Sequence, residues 1–141
     1  MSINIVLIGV GEVGFNLAKV LSKENYDLTV VDIDKKKCNR VKNTIDARVI
    51  EGNGCSQRIL QKIDFENVDY FLALTRIDEI NLVASRIAKK LGSKNTITRL
   101  RNTEYIHSEA IVSPSEFGIN HVLNPEKSAQ LEIEDLVRQS S

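Results

Sequence analysis

The sequence predicts an α/β domain whose parallel sheet carries helices on both faces, and three observations support that prediction. Apolar, β-branched runs alternate with segments of helical period along the chain, the pattern of repeated βα units. The first run, INIVLI, passes directly into the turn Gly9-Val10-Gly11-Glu12-Val13-Gly14 and then into the periodic segment FNLAKVLSK. The second run, DLTVVD, ends on Asp32, eighteen residues after Gly14. At 141 residues the chain, read as a single domain over 1–141, can bury a core but cannot hold a cofactor domain and a full substrate domain.

The elements follow in order. Strands are expected near 3–9, 27–32, 47–51, 68–74, 95–100 and 120–123, and helices near 12–24, 34–44, 56–62, 77–91 and 125–138. Asp34 reads as the N-cap of the second helix, which needs an acceptor for its first amide donors. Thr75 and Asp78 have the spacing of a capping box ahead of the fourth helix. Gly92, after Ala88-Lys-Lys-Leu, reads as its stop, with basic residues in the last turn where the helix dipole favours them. Asn124-Pro125-Glu126 offers the last helix a cap, a proline at its first position and an acid in its first turn. Between 102 and 119 a short helix and a loop broken at Pro114 and Gly118 are expected.

The glycine turn carries the chemistry. In G-x-G-x-x-G between a strand and a helix, Gly9 permits the tight turn, Gly11 lets the main chain approach a pyrophosphate, and Gly14 lets the helix sit against the strand. The phosphates then meet the free N–H groups at the positive end of that helix. Asp32 stands at the spacing from which a carboxylate accepts from both hydroxyls of a ribose, and there it repels a 2′-phosphate, which disfavours NADP. The fold expected is therefore a Rossmann-type doubly wound parallel six-stranded sheet. Gly52-Asn53-Gly54, after the third strand, either lines the adenine side or forms a simple turn.

Composition excludes several classes. Nineteen basic residues balance nineteen acidic ones, so the basic excess that non-specific nucleic-acid binding wants is missing. The longest apolar runs are strand-length, short of the roughly 20 residues of a membrane span. The N-terminus enters a strand with no basic n-region or cleavage site, and the chain reads as cytoplasmic and soluble. Cys38 and Cys55 lie seventeen residues apart and read as two reduced thiols.

Later segments extend the reading. GVGEVG, VVDID, ARVIEGNGCS (47–56), FLALTRIDEINLVAS (71–85), ITRLRNTEY (97–105) and FGINHVLNPE (117–126) resemble, in order and spacing, the N-terminal RCK or KTN (TrkA-N) domain of the Trk/Ktr potassium-transport regulators. The resemblance implies a cytosolic gating subunit that binds NAD(H) or ATP/ADP/AMP and assembles as a homodimer or higher ring. Such a subunit lies at the inner face of the cell membrane, without inserting, and acts on a membrane-embedded potassium transporter or channel. It further implies nucleotide contacts at Gly9, Val10, Gly11, Glu12 and Val13 for the phosphates, Asp32 for the ribose, and Thr75, Arg76 and Arg99 to complete the pocket. Thr75 and Arg76 follow the fourth strand, at the carboxyl end where open α/β sheets place ligands. Alternation along ITRLR puts Arg99 and Arg101 on one face, so either reaches the site.

The sequence departs from the family pattern at Glu12, where relatives often carry Gln or Arg, and at Arg76, where a small polar residue is common. A carboxylate facing a pyrophosphate is repelled, so Arg76 is expected to pair with Glu12 or to approach the phosphates itself. The same Glu12 favours NAD(H) over ATP, whose third phosphate adds negative charge. An enzyme would need a proton-transfer group and a substrate domain. His107 and His121 have no HExxH spacing and no obvious acid partner, and Glu132, Glu134 and Asp135 read as solvated helix faces. A regulator is therefore expected, with the cofactor half of an NAD-dependent dehydrogenase as the alternative. In the last helix Ala129, Ile133, Leu136 and Val137 form an apolar stripe. It packs either on the chain's own sheet or, as in the family's C-terminal crossover helix, on a partner subunit.

Overall fold

The computed structural model describes residues 2–124 and 127–140. Among these, six strands, β1 (Asn4–Ile8), β2 (Asp27–Asp32), β3 (Arg48–Glu51), β4 (Tyr70–Ala73), β5 (Thr96–Arg99) and β6 (His121–Leu123), form one sheet. Its order is β3-β2-β1-β4-β5-β6 and every neighbouring pair is parallel. The helices are α1 (Glu12–Lys23), α2 (Lys35–Thr44), α3 (Gln57–Leu60), α4 (Asp78–Leu91) and α5 (Ala129–Ser140). Parallel strands need crossovers, and helices supply them on both faces. Alternation along β1 shows the result. Ile5 and Leu7 pack with Leu17 and Leu21 of α1, Val41 of α2 and Ile133 of α5. Val6 and Ile8 pack with Ile59 of α3 and Ala84 and Ala88 of α4. The order reverses at β1, where β2 lies on one side and β4 on the other, and that switch opens a crevice at the carboxyl ends.

Local signals explain most element ends. Asp34 caps α2, its carboxylate accepting from the Lys36 and Lys37 amides at 2.8 and 3.3 Å. Gly92 closes α4 at φ +114° and donates to the carbonyls of Ala88 and Lys89, a left-handed conformation that a side chain would strain. Both cysteines are free thiols. Cys38 is fully buried, and burial, followed by the charge of Asp32, pushes its thiol above the ordinary value.

One expectation needs correction, and two others gain detail. Thr75 and Asp78 form no capping box: the residue before α4 is Ile77, with no side-chain cap. The Thr75 hydroxyl instead meets Asn81, and the Asp78 carboxylate accepts from the amides of Arg101 and Asn102. The 102–119 segment holds two short 3-10 helices, Thr103–Tyr105 and Pro114–Phe117, and a capping box at Ser113 and Glu116 opens the second. The α5 stripe packs on its own chain, with Ile133 and Val137 0% and 1% exposed in the core beside α1. Pro125 and Glu126, which carry the expected start of this helix, lie outside the described residues. The helix begins at Ala129, behind Ser128, whose hydroxyl accepts from the Leu131 amide at 3.4 Å.

Candidate nucleotide-binding site

At the switch point the ends of β1, β2, β4 and β5 surround a cleft of about 380 Å³, within the roughly 300–1,000 Å³ of ligand sites generally. The glycine turn forms its floor. Gly9 has φ +90°, and a Cβ there would stand 2.8 Å from the Thr75 amide nitrogen. A Cβ on Gly14 would stand 1.9 Å from the Gly9 carbonyl oxygen, so α1 lies against the turn only because that atom is missing. Gly11 differs from both, because a Cβ there meets no protein atom within 4 Å. Packing therefore does not require glycine at position 11. Among the described residues no side chain caps α1 either, which leaves its first amides at the cleft without a capping acceptor there.

Asp32 closes the β2 side. It is 9% exposed, and its two carboxylate oxygens accept from the Val10 and Asp34 amides, each at 2.8 Å. The two donors hold the carboxylate in one orientation, and each oxygen keeps a lone pair for a further donor such as a ribose hydroxyl. Beside it Ile33 is 69% exposed into the cleft. The β4 and β5 ends supply cations: Arg76, Arg99 and Arg101 all line the cleft. Among the described residues none of the three forms an ion pair with a carboxylate. Burial, then the charges of Arg101 and Arg76, lower the half-buried Arg99 guanidinium from its ordinary value, with Asp78 opposing them. An anion among the three relieves that repulsion.

Of the residues expected at the site, Gly9, Gly11, Glu12, Val13, Asp32, Thr75, Arg76 and Arg99 line this cleft and Val10 does not. The Val10 side chain is in the core and its amide is bound to Asp32, which orients the acid. Glu12 and Arg76 form no ion pair among the described residues, which leaves Arg76 free to approach an anion. Arg101 joins Arg99 in the cleft, and Asn53 and Gly54 line it while Gly52 packs against Ile59. Lys37, in the first turn of α2, was missed. Its only sequence signal is its distance from Asp32, five residues on. His121 does have an acid partner. Its Nε2 meets the Glu132 carboxylate, which also accepts from the Asn124 amide at 3.0 Å. Glu132 is thus a half-buried tie between β6 and α5 rather than a solvated residue. Neither His121 nor Glu132 lines the cleft.

A doubly wound sheet with a glycine turn at its switch point and a fixed acid at the end of β2 defines a Rossmann-type nucleotide-binding domain. This chain belongs to the TrkA-N domain family, which matches residues 5–125. It is 37% identical over 143 residues to Trk system potassium uptake protein trkA homolog 1 of Methanosarcina mazei, with 96% of this chain and 34% of that protein aligned. The chain thus spans about a third of that relative's length. The TrkA-N domain of the inner membrane protein ybaL from Escherichia coli superposes with a TM-score of 0.73 at 17% identity, covering 99% of this chain and 97% of that one. The GsuK channel bound to NAD gives 0.72 at 17% identity, covering 87% of this chain and 21% of that one. GsuK bound to ADP gives 0.70 at 17% identity, covering 87% and 31%. Among the described residues no helix is long and apolar enough to cross a membrane, and no group of three or more His, Cys, Asp or Glu could hold a metal ion.

Proposed function

We propose that the domain binds NAD(H) in this cleft and acts, without catalysis, as the cytosolic nucleotide-sensing part of a potassium-uptake regulator. The observation that carries the reading is Gly11: it is the one glycine of the turn that packing does not require, and it lies between free helix amides and Asp32. The pyrophosphate lies against Gly11 and the α1 amides, the adenosine ribose donates to Asp32, and the exposed face of Ile33 supports the base. Thr75, Arg76 and Arg99 meet the second phosphate and the group beyond it. Relatives named as Trk potassium uptake proteins support the regulatory role.

A second reading, ADP or ATP in the same cleft, is favoured by the three arginines, none of which forms an ion pair among the described residues. Their charge offsets that of Glu12, which is exposed in the first turn of α1. NADP is disfavoured under either reading. The Lys37 ammonium is exposed and worth about 1 kcal/mol or less, whereas the Asp32 carboxylate is held in place by two amides. The protein acts as a homodimer or ring on a membrane-embedded potassium transporter or channel. Exposed apolar side chains that such an assembly would cover include Ile77 ahead of α4, Val83 of α4 and Leu131 of α5. A ligand that favours one arrangement of the assembly shifts the population towards it, which is how a protein without chemistry gates a pore.

A thermal-shift panel with NADH, NAD, NADPH, ATP, ADP and AMP tests the reading. A ligand at about 100 times its dissociation constant adds about 2.7 kcal/mol of stability. NAD or NADH is expected to raise the melting temperature most, with NADPH inert. A larger shift with ADP or ATP favours the second reading, and no shift with any nucleotide defeats both. Replacing Arg76 with alanine is expected to weaken nucleotide binding about tenfold, the loss of one charge-assisted contact of about 1.5 kcal/mol. Calorimetric titration checks this, and an unchanged affinity removes Arg76 from the site.

A further inference from the structure

We propose that Asn81, on the inner face of α4, is the positioning residue for the β4–β5 half of the cleft, an inference that rests on the nucleotide reading above. The β4–β5 ladder ends at Ala73↔Thr98. Beyond that pair the segments carrying Thr75 and Arg76 on one side and Arg99 and Arg101 on the other have no ladder bonds between them. Asn81 supplies the missing link. It is 0% exposed, its Oδ1 accepts from the Thr75 amide at 3.0 Å and from the Thr75 hydroxyl at 2.6 Å, and its Nδ2 donates to the carbonyls of Thr75 at 3.0 Å and Arg99 at 2.8 Å. Both donors and both acceptor sites of the carboxamide are thereby used. Asp78, one turn earlier, takes the Arg101 and Asn102 amides in the same way. A carboxamide is needed at 81, because a carboxylate cannot donate to two carbonyls and an aliphatic side chain would leave the half-buried Thr75 amide without its acceptor.

The β1–β2 half packs against the Thr75 backbone at Gly9 but takes its polar contacts elsewhere. Gly9, Gly11 and Asp32 are set by the Val10 and Asp34 amides and by α1, with no bond to Asn81. The proposal therefore makes a differential claim. A ligand confined to the adenosine half with one phosphate, AMP, does not depend on Asn81, whereas one reaching the β4 and β5 ends, NADH, does.

Titration calorimetry of the 141-residue chain and of Asn81→Ala with both ligands tests this. Asn81→Ala is expected to weaken NADH about tenfold or more, the scale of one or two hydrogen bonds, and to leave AMP within about twofold. Equal weakening of both ligands, or of neither, overturns the proposal and leaves the nucleotide reading standing. Should the alanine variant not fold, the unsubstituted protein decides by NMR. The buried Asn81 side-chain amide protons are expected to shift with NADH and stay in place with AMP, and no movement with NADH overturns the proposal. A parent chain that binds neither ligand overturns the nucleotide reading and the proposal with it.

Discussion

Replacing Gly14 with alanine is expected to cost about 3 kcal/mol or more of folding stability, at the upper end of what overpacking a well-filled site does. The added Cβ would stand 1.9 Å from the Gly9 carbonyl oxygen and 3.0 Å from its carbon. Backbone on both sides leaves no side chain to swing away, so α1 must lift from β1. That movement disturbs the largest layer of the core, where Phe15, Leu17, Ala18 and Leu21 of α1 pack with Ile5 and Leu7 of β1. Since a domain of this kind is stable by about 5–15 kcal/mol in all, the loss is a large share of the total. Urea unfolding followed by circular dichroism measures it, and a midpoint equal to the parent's means that α1 does not pack as described.

Replacing Gly11 with alanine is expected to do the reverse: stability stays within about 1 kcal/mol of the parent, while NADH binding weakens about a hundredfold. Gly11 precedes α1 with φ −65° and ψ −158°, extended backbone open to any residue, and its Cβ would meet no protein atom. Gly-to-Ala changes at compatible positions shift stability by about 0.4–1 kcal/mol through the unfolded chain. The new methyl instead occupies the space against which a pyrophosphate packs, and a hundredfold loss corresponds to about 2.7 kcal/mol. Denaturation and calorimetric titration on the same sample separate the two quantities. A Gly11→Ala protein that binds NADH as tightly as the parent places the phosphates elsewhere. Taken together, the two substitutions distinguish a glycine that the fold needs from one that only a ligand needs.

The elements legible in the sequence are those whose causes are local. The turn at Gly9–Gly14, the cap at Asp34 and the stop at Gly92 each follow from residues within one or two turns of the chain. The cleft lining was legible for the same reason, since each strand end delivers its next residue to the sheet's carboxyl edge. Roles that depend on distant partners were misread or missed. Thr75 and Asp78 look like a capping pair by spacing, yet their partners are Asn81 and the amides of Arg101 and Asn102, brought close by the β4–β5 pairing. The Val10 amide, which donates to Asp32 across 22 residues, is likewise not legible from spacing.

The sequence by itself determined the alternation of strands and helices, the glycine turn between β1 and α1, and the acid at the end of β2. Hydrophobic period, backbone sterics and capping act over a few residues and need no knowledge of the rest of the chain. Only the tertiary structure decided that α5 buries its stripe against α1, that three arginines converge on the cleft, and that Asn81 joins the β4 and β5 ends. Those outcomes depend on the order of strands in the sheet, which brings residues 18 or more positions apart within hydrogen-bonding distance. A short-range pattern cannot encode that proximity.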